Sequence, residues 1–362
     1  MKRRVSTEVM FVFLAMVFTL ALAPASSAQP GEFVKGVLQP LADGFPNQPI
    51  TLVSPDEAAS RDGMYCRAIQ AALKDISPVP IRVSDEPVNV GGLFDKIKET
   101  MDRPGGSDGY YPISCDIWGS STDTLAYDTK RDLGLEISDM NMVIVTDRMN
   151  NIILQRKNTP WGPTFMGMVK YAKENPGKVR FSVTEVGSGS MMAGCFILAT
   201  VGILDKVQQK PQGSMTAADT VVGAGECDFS FSRMDSALPH IQAGRADVTV
   251  FTTFIPPPFD KNPNIVTLGQ LGIGFPNEIL GYYQGFVVPK QVPDSHREWL
   301  FKLFKAGAST PQYKENREKT FIGLRVGDFL DPAAANALKM KMVTMGEPII
   351  RSLGLHWDQQ KK

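Results

Sequence analysis

The sequence predicts an α/β protein of two lobes, each a sheet flanked by helices, with a cleft between them. Three observations predict it. Strand-like and helix-like runs alternate over residues 50–117 and again over 178–252, the order that builds a parallel sheet covered by helices. Extended runs, not a single tight turn, join these two units. The chain has 362 residues, of which 43% are hydrophobic and 21% charged, enough apolar side chains for two cores.

The elements follow in order. Residues 50–54 form an apolar strand, and 55–62 a polar turn. Residues 64–73 read as a helix that packs through Met64, Ala68, Ala71 and Ala72. A second strand covers 81–84. Gly91 and Gly92 precede a helix over 93–101, with Leu93, Phe94, Ile97 and Met101 on one side. Pro104, Gly105 and Gly106 break the chain before a third strand at 110–117. Residues 142–145 and 152–154 are two short apolar runs around a polar turn at 147–151. A helix over 161–173 is closed by Asn175, Pro176 and Gly177. Residues 179–184 form a strand, 185–190 a Gly/Ser turn and 191–203 a largely buried helix. A turn at 211–214, a helix at 217–222, a strand at 228–231, a short helix at 236–243 and a strand at 248–252 complete the second unit. The prolines of 254–258 and 262–263 read as a long loop. A strand at 285–288, a helix at 295–308 and a long helix at 333–354, interrupted near Pro348, end the chain.

Charge and targeting narrow the function classes. Lysine plus arginine equals aspartate plus glutamate at 38 each, so no basic excess attracts nucleic acid. Lys2, Arg3 and Arg4, an apolar run over 9–23 and Ser26-Ser27-Ala28 have the pattern of a secretory signal peptide cut after Ala28. The alternative is an uncleaved anchor, for which the run is short. Cleavage removes three basic residues and one acidic residue from the totals of 38, leaving 35 against 37. The expected destination is the periplasm. There Cys66, Cys115, Cys195 and Cys227 either form two bridges, Cys66–Cys115 and Cys195–Cys227, or stay as four buried thiols.

In open α/β sheets ligands sit beyond the C-terminal ends of strands. That rule selects three turns: 55–62, 118–123 and 185–190. The last leads from strand to helix, so backbone N–H groups and the positive end of a helix dipole meet at one spot suited to a small anion. Gly187 and Gly189 permit close approach to the backbone. The same stretch also serves as an ordinary βα turn.

Catalytic patterns fail on context. Gly105-Gly106-Ser107-Asp108-Gly109 fits GxSxG, but a helix and Pro104 precede it and a strand follows, the reverse of a nucleophile elbow. His240, His296 and His356 have no metal-ligand neighbour at helical spacing, no CxxC pair exists and no Walker pattern is present. No motif calls for a metal or a cofactor.

An ordered set of turns resembles the solute receptors of tripartite tricarboxylate transporters, the Bug family. Phe45-Pro46-Asn47-Gln48-Pro49-Ile50 resembles the family's opening "(Y/F)P-x-(K/R)-P-I". Pro55 and Arg67 fall where the family has the proline after its first strand and an arginine of its first helix. Asp108-Gly109-Tyr110 matches "DGY", and Asn175-Pro176-Gly177-Lys178 matches "NPGK", followed by Gly187-Ser188-Gly189 in the Gly/Ser turn. Ser236-Ala237-Leu238-Pro239-His240-Ile241 with Ala243-Gly244 is close to "SALPHIKAG". The resemblance covers about 45–355.

It implies a type II periplasmic binding protein that closes on a small organic acid by a hinge. Residues 29–146 and 253–362 would form lobe 1, and 147–252 lobe 2. It also implies a monomeric, non-enzymatic receptor that serves membrane transporter subunits. The implied ligand contacts are Pro55, Ser60, Arg61, Asp62, Trp118, Ser121, Thr184, Gly187, Ser188, Gly189, Ser190 and Arg233. The chain departs from the family where a glycine triplet becomes Ala59-Ser60-Arg61, where Glu185 replaces a small residue, and where Phe-Asp becomes Phe231-Ser232-Arg233. Arg61 and Arg233 would offer side-chain clamps on a carboxylate; Arg61 also reads as a solvated loop arginine. Trp118 would stack on a planar ligand or simply pack. The rival readings are a periplasmic sensing subunit for a signalling partner and an exported serine hydrolase using Ser107.

Overall fold

The computed structural model describes residues 29–88, 92–126, 132–184, 188–273, 281–320 and 324–359, without the side chains of 120, 122 and 123. The expected signal peptide, Glu185 and Gly187 lie outside the described residues. A small antiparallel ribbon, β1 (Phe33–Val34) and β2 (Val37–Leu38), starts the chain. Then β3 (Ile50–Ser54), α1 (Arg61–Ala72), β4 (Ile81–Asp85), α2 (Leu93–Asp102) and β5 (Ile113–Asp116) form the first alternating unit. β3 lies between β4 and β5, parallel to both. Ile50 and Leu52 bury in one cluster with Tyr65, Ile69 and Leu73 of α1 and its C-cap, and Val53 in another with Leu93, Phe94 and Ile97 of α2, which gives this unit its core.

Two findings depart from the expected elements here. The turn at 118–123 belongs to a helix, α3 (Ile117–Ala126). Its Gly/Ser/Thr content reads as loop, but Asp116 caps its start by accepting N–H bonds from Trp118 and Gly119 at 3.2 and 3.1 Å. Burial of Ile117, Trp118 and Leu125 then outweighs weak propensity. The two apolar runs at 142–145 and 152–154 are one strand, β6 (Met140–Arg156). Asp147, Asn150 and Asn151 between them are buried and bonded from elsewhere. Asp147 binds Tyr313 and Arg317, while Asn150 Oδ1 accepts from the Thr252 hydroxyl at 2.8 Å and the Thr253 N–H at 2.9 Å.

The second unit contains α4 (Phe165–Glu174), β7 (Val179–Val183), α5 (Gly189–Thr200), β8 (Val207–Pro211), α6 (Met215–Gly223), β9 (Phe229–Arg233), α7 (Met234–Gln242) and β10 (Ala246–Phe251). β7 lies between β8 and β9, parallel to both, repeating the order of the first unit. β8 was not expected: Val207-Gln208-Gln209-Lys210-Pro211 is polar, as suits a strand with a single neighbour.

β11 (Val266–Thr267) pairs parallel with β10 on the second sheet, and β12 (Gly281–Pro289), α8 (Asp294–Ala308), α9 (Pro311–Thr320), β13 (Leu324–Leu330) and α10 (Pro332–Ser352) return the chain to the first. α9 and β13 were also not expected. α9 has only Tyr313 and Arg317 buried, so it shows no apolar stripe. α10 runs through Pro348 without a break, because Ile349 and Ile350 bury immediately after it.

β6 belongs to both sheets. Residues 140–150 pair antiparallel with β12, whereas 151–156 pair with β9 and β10. One strand thus links two similar α/β halves. On one side of this link a single apolar cluster runs from Val53 and Ile113 of the first sheet to Phe181 and Phe231 of the second. All four cysteines are buried free thiols, which decides between the two cysteine readings. No described helix is long and apolar enough to cross a membrane.

Candidate functional site

The parallel strands of both units end at a cleft of about 860 Å³. Five helices begin on its walls: α1 after Ser60, α3 after Asp116, α5 after Ser188, α6 after Ser214 and α7 after Arg233. Ser60, Ser188 and Ser214 each cap their helix by accepting a backbone N–H, from Gly63, Met191 and Ala217 at 3.1, 3.3 and 3.2 Å. The first-turn N–H groups left over, with the positive ends of five dipoles, point into one space. α7 has no side-chain cap at all.

Charged side chains line the base. Arg61 is 14% exposed; it donates to Asp62 at 3.0 Å and to Gln284 at 3.1 Å, and its guanidinium lies 3.7 Å over the Tyr282 ring. Arg233 donates through two nitrogens to Asp235, at 3.1 and 3.3 Å, and stands 5.8 Å from the same ring. Burial would raise the Asp62 pKa, but the Arg61 charge and bonds from Gln284 and Ser114 outweigh it and hold it low. Asp235 is held low in the same way, by Arg233 against burial. Asp116 is different: burial pushes it up to about 6, although Arg61 and the N–H groups of Gly119, Tyr283 and Trp118 favour its charge. Behind α7, Asp219 is buried and accepts the hydroxyls of Ser230, Ser232 and Ser236 at 2.7, 2.6 and 2.7 Å. Burial raises its pKa and the three serines oppose the rise.

The cleft wall contains Pro55, Ser60, Arg61, Asp62, Trp118, Thr184, Ser188, Gly189, Ser190 and Arg233. Arg61 and Ser188 therefore face one groove. Ser121 does not line it: its side chain is buried within α3 and donates to the carbonyls of Ile117 and Lys339 at 2.7 and 3.3 Å. Trp118 is 4% exposed and its indole N–H is bound to the Gly189 carbonyl, so its ring packs and presents no open stacking face. The arginines are already engaged by neighbouring carboxylates, which makes them sources of field more than free clamps. Sequence reasoning missed Asp116, Asp235, Tyr282 and Gln284. Asp116 is the last residue of its strand, and the strand-end rule applied one residue earlier would have found it. Ser107 lies in a short 3-10 turn, Gly106–Asp108, and is not part of the cleft wall. Among the described residues no cluster of His, Cys, Asp and Glu has metal-site geometry.

No protein-family model matches the sequence, and no curated protein matches it either. Solved structures do. The periplasmic binding protein BugD aligns at 19% identity over 86% of this chain and 99% of its own, with a TM-score of 0.66. MatC from Rhodopseudomonas palustris, solved with bound malate, aligns at 16% over 84% and 100%, with a TM-score of 0.66. Another R. palustris protein, solved with adipate, aligns at 18% over 86% and 98%, also at 0.66. Likeness over nearly the whole length at this level of identity speaks for architecture: the chain has the two-lobed α/β fold of the type II periplasmic binding proteins.

Proposed function

We propose that the protein is an extracytoplasmic receptor of the Bug type that captures a small organic carboxylate and delivers it to a membrane transporter. The observation that carries this is the convergence of five helix N-termini on one cleft between two sheets. Each terminus contributes about 0.3–1 kcal/mol toward an anion at the surface and up to about 2 kcal/mol when partly buried. Five termini near the partly buried value together approach the roughly 8 kcal/mol of micromolar binding, with the charges of Asp62 and Asp235 opposing and those of Arg61 and Arg233 offsetting them. The likeness to proteins solved with malate and with adipate favours the same ligand class here. In this reading the α5 terminus at Ser188–Ser190 takes one carboxylate oxygen pair and the α1 terminus at Ser60–Arg61 faces it, with Arg61 and Arg233 adding positive potential. Lobe 1 is 29–146 with 253–362, lobe 2 is 147–252, and the receptor works as a monomer in the periplasm. Calorimetry with dicarboxylates of four to six carbons tests the reading. Saturable binding is expected, weakened about tenfold or more by Arg61→Ala. A folded protein that binds no carboxylate would sink it. Delivery is tested by carboxylate uptake in cells with and without the chain.

A further inference from the structure

Trp118 joins the two halves at the mouth of the cleft. It stands in the first turn of α3, directly after the last parallel strand of the first sheet. Its Nε1–H donates to the carbonyl of Gly189 at 2.7 Å, and Gly189 is the first residue of α5 in the other half. The contact is close enough to dictate the residue opposite. A methyl group on Gly189 would lie 2.8 Å from Trp118 Cδ1 and 3.1 Å from Nε1. The far edge of the indole rests in ordinary contact on α10, where a methyl at Gly346 would sit 3.7 Å from Cη2. Gly189 is flanked by Ser188, which caps α5, and Ser190; all three line the cleft. The indole therefore grips the turn that bears the anion-suited N–H groups, from across the cleft, and uses that turn's own carbonyl to do so.

From this juxtaposition we propose that Trp118 is a positioning residue for the ligand: it holds the start of α5 against the first sheet and so sets how long a bound carboxylate stays. The proposal rests on the receptor reading above. The indole bond is internal to the chain, so the two halves are drawn together before any ligand adds its own bridge. Ligand entry and escape both require the turn to leave the indole, so the bond slows both steps.

Trp118→Phe keeps a flat ring and removes the donor. Gly189→Ala attacks the same contact from the other half. Two measurements test the idea. In stopped-flow binding of malate and of adipate, Trp118→Phe is expected to raise the dissociation rate about tenfold and to raise the association rate as well, since a buried hydrogen bond that gates both steps is lost. Gly189→Ala also disturbs the anion-suited turn itself, so it reports on the clasp through scattering alone. In small-angle scattering of the ligand-free protein, both variants are expected to show a larger radius of gyration than wild type. If ligand-free variants and wild type scatter identically, or Trp118→Phe releases ligand at the wild-type rate, the proposal is overturned. If wild type binds neither acid, the receptor reading falls, while scattering still decides whether the clasp exists. Should Trp118→Phe fail to fold, the Gly189→Ala arm stands alone.

Discussion

Replacing Arg317 by methionine should be among the most damaging single changes outside the apolar core. Arg317 and Asp147 have side chains 1% and 0% exposed, and Nε meets Oδ2 at 2.7 Å. The other carboxylate oxygen accepts from Tyr313 at 2.8 Å, and Tyr65 and Tyr313 both reach Thr146 on the same strand. Methionine fills similar space but leaves the Asp147 charge buried with one hydroxyl. Removing one partner of a buried pair costs about 3–5 kcal/mol, and Coulomb's law at an effective dielectric of about 20 gives about 4 kcal/mol for charges about 4 Å apart. The second change, Asp147→Asn, removes the stranded charge, so the double variant should recover most of the loss. Urea unfolding of wild type, both singles and the double measures this, provided the slopes agree. A loss below about 1 kcal/mol for Arg317→Met, or a double variant no better than the single, would refute the reasoning. Because α9 ends at Thr320 on the cleft wall, Arg317→Met should also weaken carboxylate binding.

Other outcomes follow from single features. Burial raises the Asp116 pKa to about 6, above the ordinary carboxylate range, so the fold binds this proton more tightly than the unfolded chain does. Its contribution should therefore decline as pH rises from about 4 to about 6 and stay level above, by at most about 3 kcal/mol. Urea midpoints of wild type and Asp116→Asn across that range should diverge with this slope. The four cysteines are buried, and burial pushes the thiols of Cys66, Cys195 and Cys227 above their ordinary range. A thiol reagent should label none in the native protein and all four in denaturant, and a reductant should leave the melting temperature unchanged. Asp219→Ala leaves the Ser230 hydroxyl without its acceptor and Ser232 and Ser236 with longer bonds to each other and to the Arg233 carbonyl, and should cost about 1–3 kcal/mol in urea unfolding, whereas Asp219→Asn should cost less.

What could be read from the chain was whatever its own periodicity encodes. Ile50, Leu52 and Val53 alternate or run together as a covered strand must, and the turn at Ser188–Ser190 lies where strand becomes helix. What could not be read depends on partners distant in sequence. Asp147, Asn150 and Asn151 look like a turn until Arg317 and Thr252 are brought beside them. β8 is polar because it is an edge, and α9 because a tyrosine and an arginine are all it buries. The cleft shows the same division. Arg61 and Arg233 could be named from their turns, but Tyr282, the ring both guanidiniums approach, arrives on β12 from more than two hundred residues beyond Arg61. Nothing in the neighbourhood of Trp118 announces that its nearest acceptor will be Gly189.

The seventeen residues of β6 carry a further implication. A hinge made of loose peptide lets its two bodies be separated with scissors; a rung shared by two ladders does not. Ending the chain after residue 146 would remove β12, the strand that bridges β5 and β6 in the first sheet, and starting it there would deprive β12 of residues 140–146 of its neighbour. Either fragment would show raw backbone edges to solvent and self-associate. Neither half is a module that could be borrowed, swapped or expressed apart from the other.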